Sequence, residues 1–163
     1  MKKLLCAALM VACVSFSVKA DAIGLRFGGG SLAGAEVNYQ KGMGSNRLEL
    51  GLSWSSKSEG SGAAKYSTNY IGAFGAYQWH WNISGGFNWY AGPGAEVGFW
   101  SWNHNNNSDS GMYLNVGGQI GIEYDFNTLG APLNLSIDAR PMFGLIDSAG
   151  FGWAAALGIR YTF

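Results

Sequence analysis

The sequence predicts an all-β fold: a closed antiparallel barrel of about eight strands in up-and-down order, built to cross a membrane. Three observations predict it. Apolar and polar residues alternate with a period of two along most of the chain, the mark of strands with two different faces. Beyond residue 20 there is no run of about 18 apolar residues from which a membrane helix would be made. Short turns and longer polar connections alternate between the segments, as when strands cross a bilayer and return.

The length of 163 residues suits one domain. Only 12% of residues are charged, 15% are aromatic and 26 are Gly, yet mean hydropathy is +0.04. Apolar residues are therefore spread out along the chain. The one continuous apolar stretch is at the start, where Met1-Lys2-Lys3 precedes a mostly apolar run from Leu4 to Val18, followed by Val18-Lys19-Ala20. That order reads as a signal peptide, residues 1–20, cut after Ala20 to leave a barrel domain at 21–163. A membrane-anchoring helix would need a longer apolar stretch, and lipidation at Cys13 would need a Leu that Met10-Val11-Ala12-Cys13 lacks.

Removing residues 1–20 takes three of the ten basic residues and none of the ten acidic ones, so the formal charge falls from zero to −3. It also removes Cys6 and Cys13, which leaves no thiol for a disulfide, a metal or a nucleophile. Weak negative charge with scattered basic residues points away from nucleic acid.

Taken in order, Ile23, Leu25 and Phe27 oppose Gly24, Arg26 and Gly28. Ala33, Ala35, Val37 and Tyr39 oppose Glu36, Asn38 and Gln40, and Leu48, Leu50, Leu52 and Trp54 oppose Glu49, Gly51 and Ser53. Segments 66–81 and 86–102 are aromatic on both faces, and we place Gln78, His80, Asn88 and Glu96 inward. From Met112 to Phe126 the separation is clean, with Leu114, Val116, Ile120 and Ile122 against Asn115, Gln119 and Glu123. The next segment sets Leu133, Leu135, Ile137 and Phe143 against Asn134, Ser136, Asp138 and Arg140. The last sets Trp153, Leu157, Ile159, Tyr161 and Phe163 against Ala154, Gly158, Arg160 and Thr162. The strands come to roughly nine to sixteen residues, the first two being shortest, and a span needs about 9–11 tilted residues.

Short turns are expected at Gly42–Asn46, Asn82–Gly85 and Asn127–Pro132, and longer loops at Ser55–Ser67, Asn103–Ser110 and Asp147–Gly152. The connection near Gly29–Leu32 is short for an outer loop and reads as a tight hairpin. Pro93 and Pro141 each remove a ladder donor, which a bulge would absorb. A soluble sandwich would carry Lys, Glu and Thr on its polar face. Here that face is mainly Gly, Asn and Ser, which suits the crowded inside of a narrow barrel. Trp79, Trp81, Trp89, Trp100, Trp102, Trp153, Tyr161 and Phe163 fall near strand ends, the place for interfacial aromatic girdles in contact with membrane lipid.

The closing residues Gly158-Ile159-Arg160-Tyr161-Thr162-Phe163 resemble the C-terminal assembly signal of outer-membrane barrels, with Gly158, Tyr161 and Phe163 at its marked positions. Size and pattern are similar to the small eight-stranded barrels typified by outer membrane protein X and the membrane domain of outer membrane protein A. The resemblance implies export to the outer membrane of a Gram-negative-type bacterium and recognition of the last strand by the barrel-assembly machinery.

The phase of each strand places Arg26, Glu36, Glu49, Glu96, Glu123, Asp138, Arg140 and Arg160 in the lumen, with Arg47 and Asp125 near the periplasmic rim. Charges there must be paired or hydrated. They form either a salt-bridged plug or a path for ions or protons. Eight strands leave too little room for a general diffusion pore.

Catalysis on lipid A would need Ser, His and a carboxylate together. His80 is flanked by Trp79 and Trp81, and His104 lies in an Asn/Ser/Asp-rich segment without the His-x-Ser spacing of lipid A deacylases. His104 and Asp109 are too few ligands for a zinc site. No catalytic, cofactor or metal residue is assigned. The reading is a non-enzymatic outer-membrane barrel with a filled polar lumen and loops used for surface interaction or envelope integrity. A narrow channel is the alternative and a lipid A-modifying enzyme the third.

Overall fold

The computed structural model describes residues 21–30, 34–59, 66–104, 107–146 and 150–163. Residues 1–20, on which the signal peptide and Cys13 readings fall, lie outside them. The strands are β1 (Ala22–Gly30), β2 (Ala35–Met43), β3 (Asn46–Glu59), β4 (Tyr66–Ser84), β5 (Phe87–His104), β6 (Asn107–Asp125), β7 (Leu133–Ile146) and β8 (Gly150–Thr162). Each pairs antiparallel with its sequence neighbours, and β1 pairs with β8 from Ala22↔Thr162 to Gly30↔Ala154, which closes the barrel. Asp21 and Phe163 exchange backbone hydrogen bonds of 3.1 and 2.9 Å at the seam. Closure leaves no unpaired edge in lipid, where each orphaned backbone group costs several kcal/mol.

The two-residue alternation becomes an inside and an outside. Leu52, Ile71, Ile137 and Leu157 are more than half exposed, while Gln40, Glu49, Gln78, Asn134 and Arg160 are fully buried. The apolar core is small, a cluster of Phe74, Ala76 and Met142. Along β8 the outward residues run from Phe151 to Phe163. At about 3.3 Å per residue and a tilt of about 40°, that span rises about 30 Å, the height of an apolar band with its girdles.

At one rim the turns are tight: Gly44 at the β2–β3 turn has φ +72° and Gly85 at the β4–β5 turn has φ +54°, a region that Gly enters without steric cost. The third connection holds a 3-10 helix, Phe126–Leu129, capped by Asp125, whose side chain accepts from the Asn127 N–H at 2.9 Å. Both strand termini lie at this rim.

At the other rim the structure differs from the expected loops. The segments expected as loops at Ser55–Ser67 and Asn103–Ser110 are mostly strand: β3 and β4 stay paired to Glu59↔Tyr66, and β5 and β6 to His104↔Asn107. Beyond the bilayer neither face has to be apolar, so the alternation fades while the hydrogen-bonded ladder continues. This is also why β4 and β6 reach 19 residues. β6 first meets β7 at Leu114↔Ile146, and β3 last meets β2 at Trp54↔Ala35. Strands β3–β6 thus rise above the rest as a four-stranded sheet, its far edge standing about 20 Å proud over Asn107–Tyr113.

The prolines are absorbed without a bulge. The β4–β5 ladder lapses between Ala76↔Gly94 and Trp79↔Ala91 and resumes in the same register. The β6–β7 ladder does the same between Gly117↔Met142 and Ile120↔Ala139. Pro93 still registers with Gly118, and Pro141 with Trp153. A strand residue turns both backbone groups to one neighbour, so a missing N–H interrupts one ladder only.

Candidate functional site

The lumen is filled by side chains that arrive from all eight strands at alternate positions. Glycines on the same face make the room. A Cβ on Gly121 would lie 2.6 Å from the Tyr90 hydroxyl, and one on Gly24 would lie 2.6 Å from Arg160 Cγ. The small residues of the polar face are therefore the space into which the large ones fold.

Glu49 is the hub. Its Oε1 accepts from Arg140 at 2.5 Å, and its Oε2 accepts from Arg160 at 3.0 Å, Gln40 at 2.7 Å and Gln78 at 3.0 Å. Arg140 also holds Glu36 through both terminal nitrogens, at 2.5 and 3.0 Å, and its guanidinium lies 3.5 Å from the centroid of Phe74. Arg160 donates further to Ser136 at 2.8 Å. Beside this cluster Arg26 grips Asp138 at 2.6 and 2.9 Å, and the Tyr90 hydroxyl donates to the same carboxylate at 3.2 Å.

Toward the rim of tight turns Arg47 meets Glu123 at 3.0 Å. His80 Nδ1 lies 3.6 Å from Glu123, its Nε2 is 3.2 Å from the Gln78 side-chain oxygen, and its ring stacks on Tyr90 with centroids 5.1 Å apart. Toward the opposite rim Glu96 Oε1 accepts from the hydroxyls of Ser53 at 3.1 Å and Tyr113 at 3.3 Å. A cavity of about 20 Å³ remains there, beside Arg26, Glu36, Ser53, Glu96 and Arg140, room for about one water molecule.

The structure thus brings all eight charges placed in the lumen by the sequence into one enclosure, and adds Arg47 as the partner of Glu123 rather than a rim residue alone. The partners could not be read from spacing, since Arg26 and Asp138 are 112 residues apart and Arg140 and Glu36 are 104 apart. The linking roles of Gln40, Gln78, Gln119 and Ser53 were missed. Their only sequence signal is a polar-face position.

The expected interface aromatics divide. Trp79, Trp81, Trp89 and Trp153 are outward and exposed, with Trp81 and Trp89 stacked at 4.2 Å. Tyr161 and Phe163 stack at 6.3 Å near the seam, and Gly158 faces inward beside Ser136. Trp102 does not join the lipid-facing set, and neither does Trp100. Both fall on the phase of Tyr90 and Glu96, because the β5 ladder holds register from Gly94 to Asn103. Alternation, which set Glu96 inward, carries both rings inward too.

The His104 side chain and residues 105–106 lie outside what is described. Asp109 accepts from the adjacent Ser110 N–H at 2.8 Å. Among the described residues no group of three His, Asp or Glu side chains is close enough to hold a metal.

A charged polar lumen, a closed meander and an apolar outer band define the class: an eight-stranded β-barrel with the fold of the small outer-membrane barrels. No protein-family model and no curated protein matches the sequence. Solved structures do match. Neisserial surface protein A is similar at 13% identity and a TM-score of 0.61, over 88% of this chain and 94% of that one. The N-terminal barrel of Pseudomonas aeruginosa OprF is similar at 16% identity and 0.59, over 88% and 97%. Ail, the attachment invasion locus protein of Yersinia pestis, is similar at 14% identity and 0.53, over 88% and 97%.

Proposed function

We propose that this chain is a non-enzymatic outer-membrane protein whose lumen is closed by an ion-paired plug and whose raised β3–β6 sheet is its working surface, used for contact outside the cell or for envelope integrity. One observation carries the reading. Four arginines are matched to four carboxylates across a lumen whose described outer cavity is about 20 Å³, while four strands continue past the barrel wall. A barrel that serves as a conduit keeps its cross-section open. This one spends it on rigidity and extends its strands outward. Residues 1–20 act in this reading as the export signal, and the strand ending at Tyr161 and Phe163 as the segment taken up by the barrel-assembly machinery.

The test is single-channel conductance of residues 21–163 refolded into a planar bilayer, with unboiled gel mobility reporting the fold. No steps above the lipid background are expected. The second reading, a narrow channel, rests on the same charges lying in the lumen. Discrete steps that shift on Glu123→Gln or Arg140→Gln would establish it and end the plug reading.

A further inference from the structure

Along β4, β5 and β6 the outward positions change character at one height. Ile71, Phe99 and Met112 are exposed and in register with one another. Two positions further from the tight-turn rim, Asn69, Ser101 and Ser110 form the next outward row, again in register. Ile71 stands ten residues above the outward Trp81 on β4, and Phe99 ten above Trp89 on β5. At about 3.3 Å per residue and a tilt of about 40°, that span rises about 25 Å, the height of an apolar band. The first row is therefore the top of the band, and the second lies in the polar layer above it.

A groove of about 620 Å³ spans this boundary, lined by both rows and by Tyr70, Trp100 and Gly111 between them. Sites for small molecules run to about 300–1,000 Å³. The middle row has the inward phase, so its backbone is the floor. Its inward neighbours Thr68, Trp102, Gly98 and Tyr113 take no part in the lining, which sets the groove on the outer wall. Large apolar side chains below small polar ones shape it as a ledge. No lining residue carries a charge. Asp109, which precedes Ser110, is exposed.

We propose that this groove seats one lipid with an uncharged sugar head group, its acyl chains along Ile71, Phe99 and Met112 and its hydroxyls on Asn69, Ser101 and Ser110. A sugar hydroxyl both donates and accepts, and so do the Asn amide and the two Ser hydroxyls that meet it. A phosphate offers acceptors and calls for Arg or Lys. The groove has neither, and the Asp109 carboxylate beside it repels an anion. Met112, unbranched and flexible, adapts to an acyl chain. The seat differs from the general contact of the band with lipid, because polar partners at one height fix the depth of a single molecule. It goes beyond the plug and the role of the raised sheet, and rests only on the barrel spanning a bilayer.

The test uses the isotope-labelled barrel in phosphatidylcholine nanodiscs doped with rising fractions of monoglucosyl diacylglycerol, following the backbone amide signals of Ser101 and Ser110. Phosphatidylglycerol with the same acyl chains is the comparison, and unboiled gel mobility reports the fold. Shifts with the glucolipid should saturate, at a midpoint at least about fivefold below that for phosphatidylglycerol, the scale of one net hydrogen bond. Asn69→Ala and Ser101→Ala should each raise the glucolipid midpoint by about the same factor. Gly75→Ala, outward but well below the groove, should leave it unchanged. Shifts linear in glucolipid fraction would overturn the proposal, since they report ordinary lipid contact. So would a midpoint for phosphatidylglycerol equal to or below that for the glucolipid, or an unchanged midpoint in both folded alanine variants.

Discussion

Arg140→Met removes the side chain that donates at 2.5 and 3.0 Å to Glu36 and at 2.5 Å to Glu49. The two carboxylates fare differently. Glu49 keeps Arg160 at 3.0 Å and the amides of Gln40 and Gln78. Glu36, 3% exposed, keeps no cation. Leaving one member of a buried pair uncompensated costs about 3–5 kcal/mol, a shift of about a thousandfold in the folding equilibrium at the middle of that range. The double variant Arg140→Met with Glu36→Leu removes both charges and keeps the volume, so it should recover to within about 1 kcal/mol of the parent or exceed it. Equilibrium urea unfolding of the barrel in lipid vesicles, read by Trp fluorescence with the slopes checked for constancy, measures both. A single variant within about 1 kcal/mol of the parent would refute the reasoning. A double variant less stable than Arg140→Met would refute it too, because the pair would then act as two separate contributions.

Three further outcomes follow from the geometry. Gly121→Ala places a Cβ 2.6 Å from Tyr90 and 2.7 Å from Asp138, and should cost about 1–3 kcal/mol by overpacking, whereas Gly75→Ala meets only Leu50 Cδ2 at 3.6 Å and should be nearly neutral; the same unfolding assay separates them. Leu157→Arg, at an outward site 62% exposed midway along β8, should cost about 2–4 kcal/mol in a bilayer. Single-Trp variants in vesicles of brominated lipid should show strong quenching at Trp81 and Trp153, which face outward, and little at Trp102; equal quenching at Trp102 would contradict its inward phase.

Much of this molecule was legible in one dimension because a strand in a membrane wall has two faces in different solvents. Lipid on one side and a packed polar enclosure on the other force a two-residue period, and that period assigned Arg26, Glu49, Asp138 and Arg160 to the lumen from their parity. Where the two solvents become one, above the bilayer, the signal stops. The raised ends of β3–β6 therefore read as loops. Trp102 failed for a related reason: an aromatic near a strand end was given to the lipid interface although parity already placed it inside. Near the rim, composition and parity compete, and the ladder decides in favour of parity.

The sequence by itself determined the strand count, the closed antiparallel order and which residues turn inward, because these depend on neighbours along one strand and on short turns between strands. The tertiary structure decided which inward charge meets which. A barrel brings residues over a hundred positions apart to hydrogen-bonding distance, and its shear sets the height at which each enters the lumen. Only at that level does Arg140 find both Glu36 and Glu49, and only there does Glu96 stand outside the direct ion pairs while sharing a small cavity with Arg140.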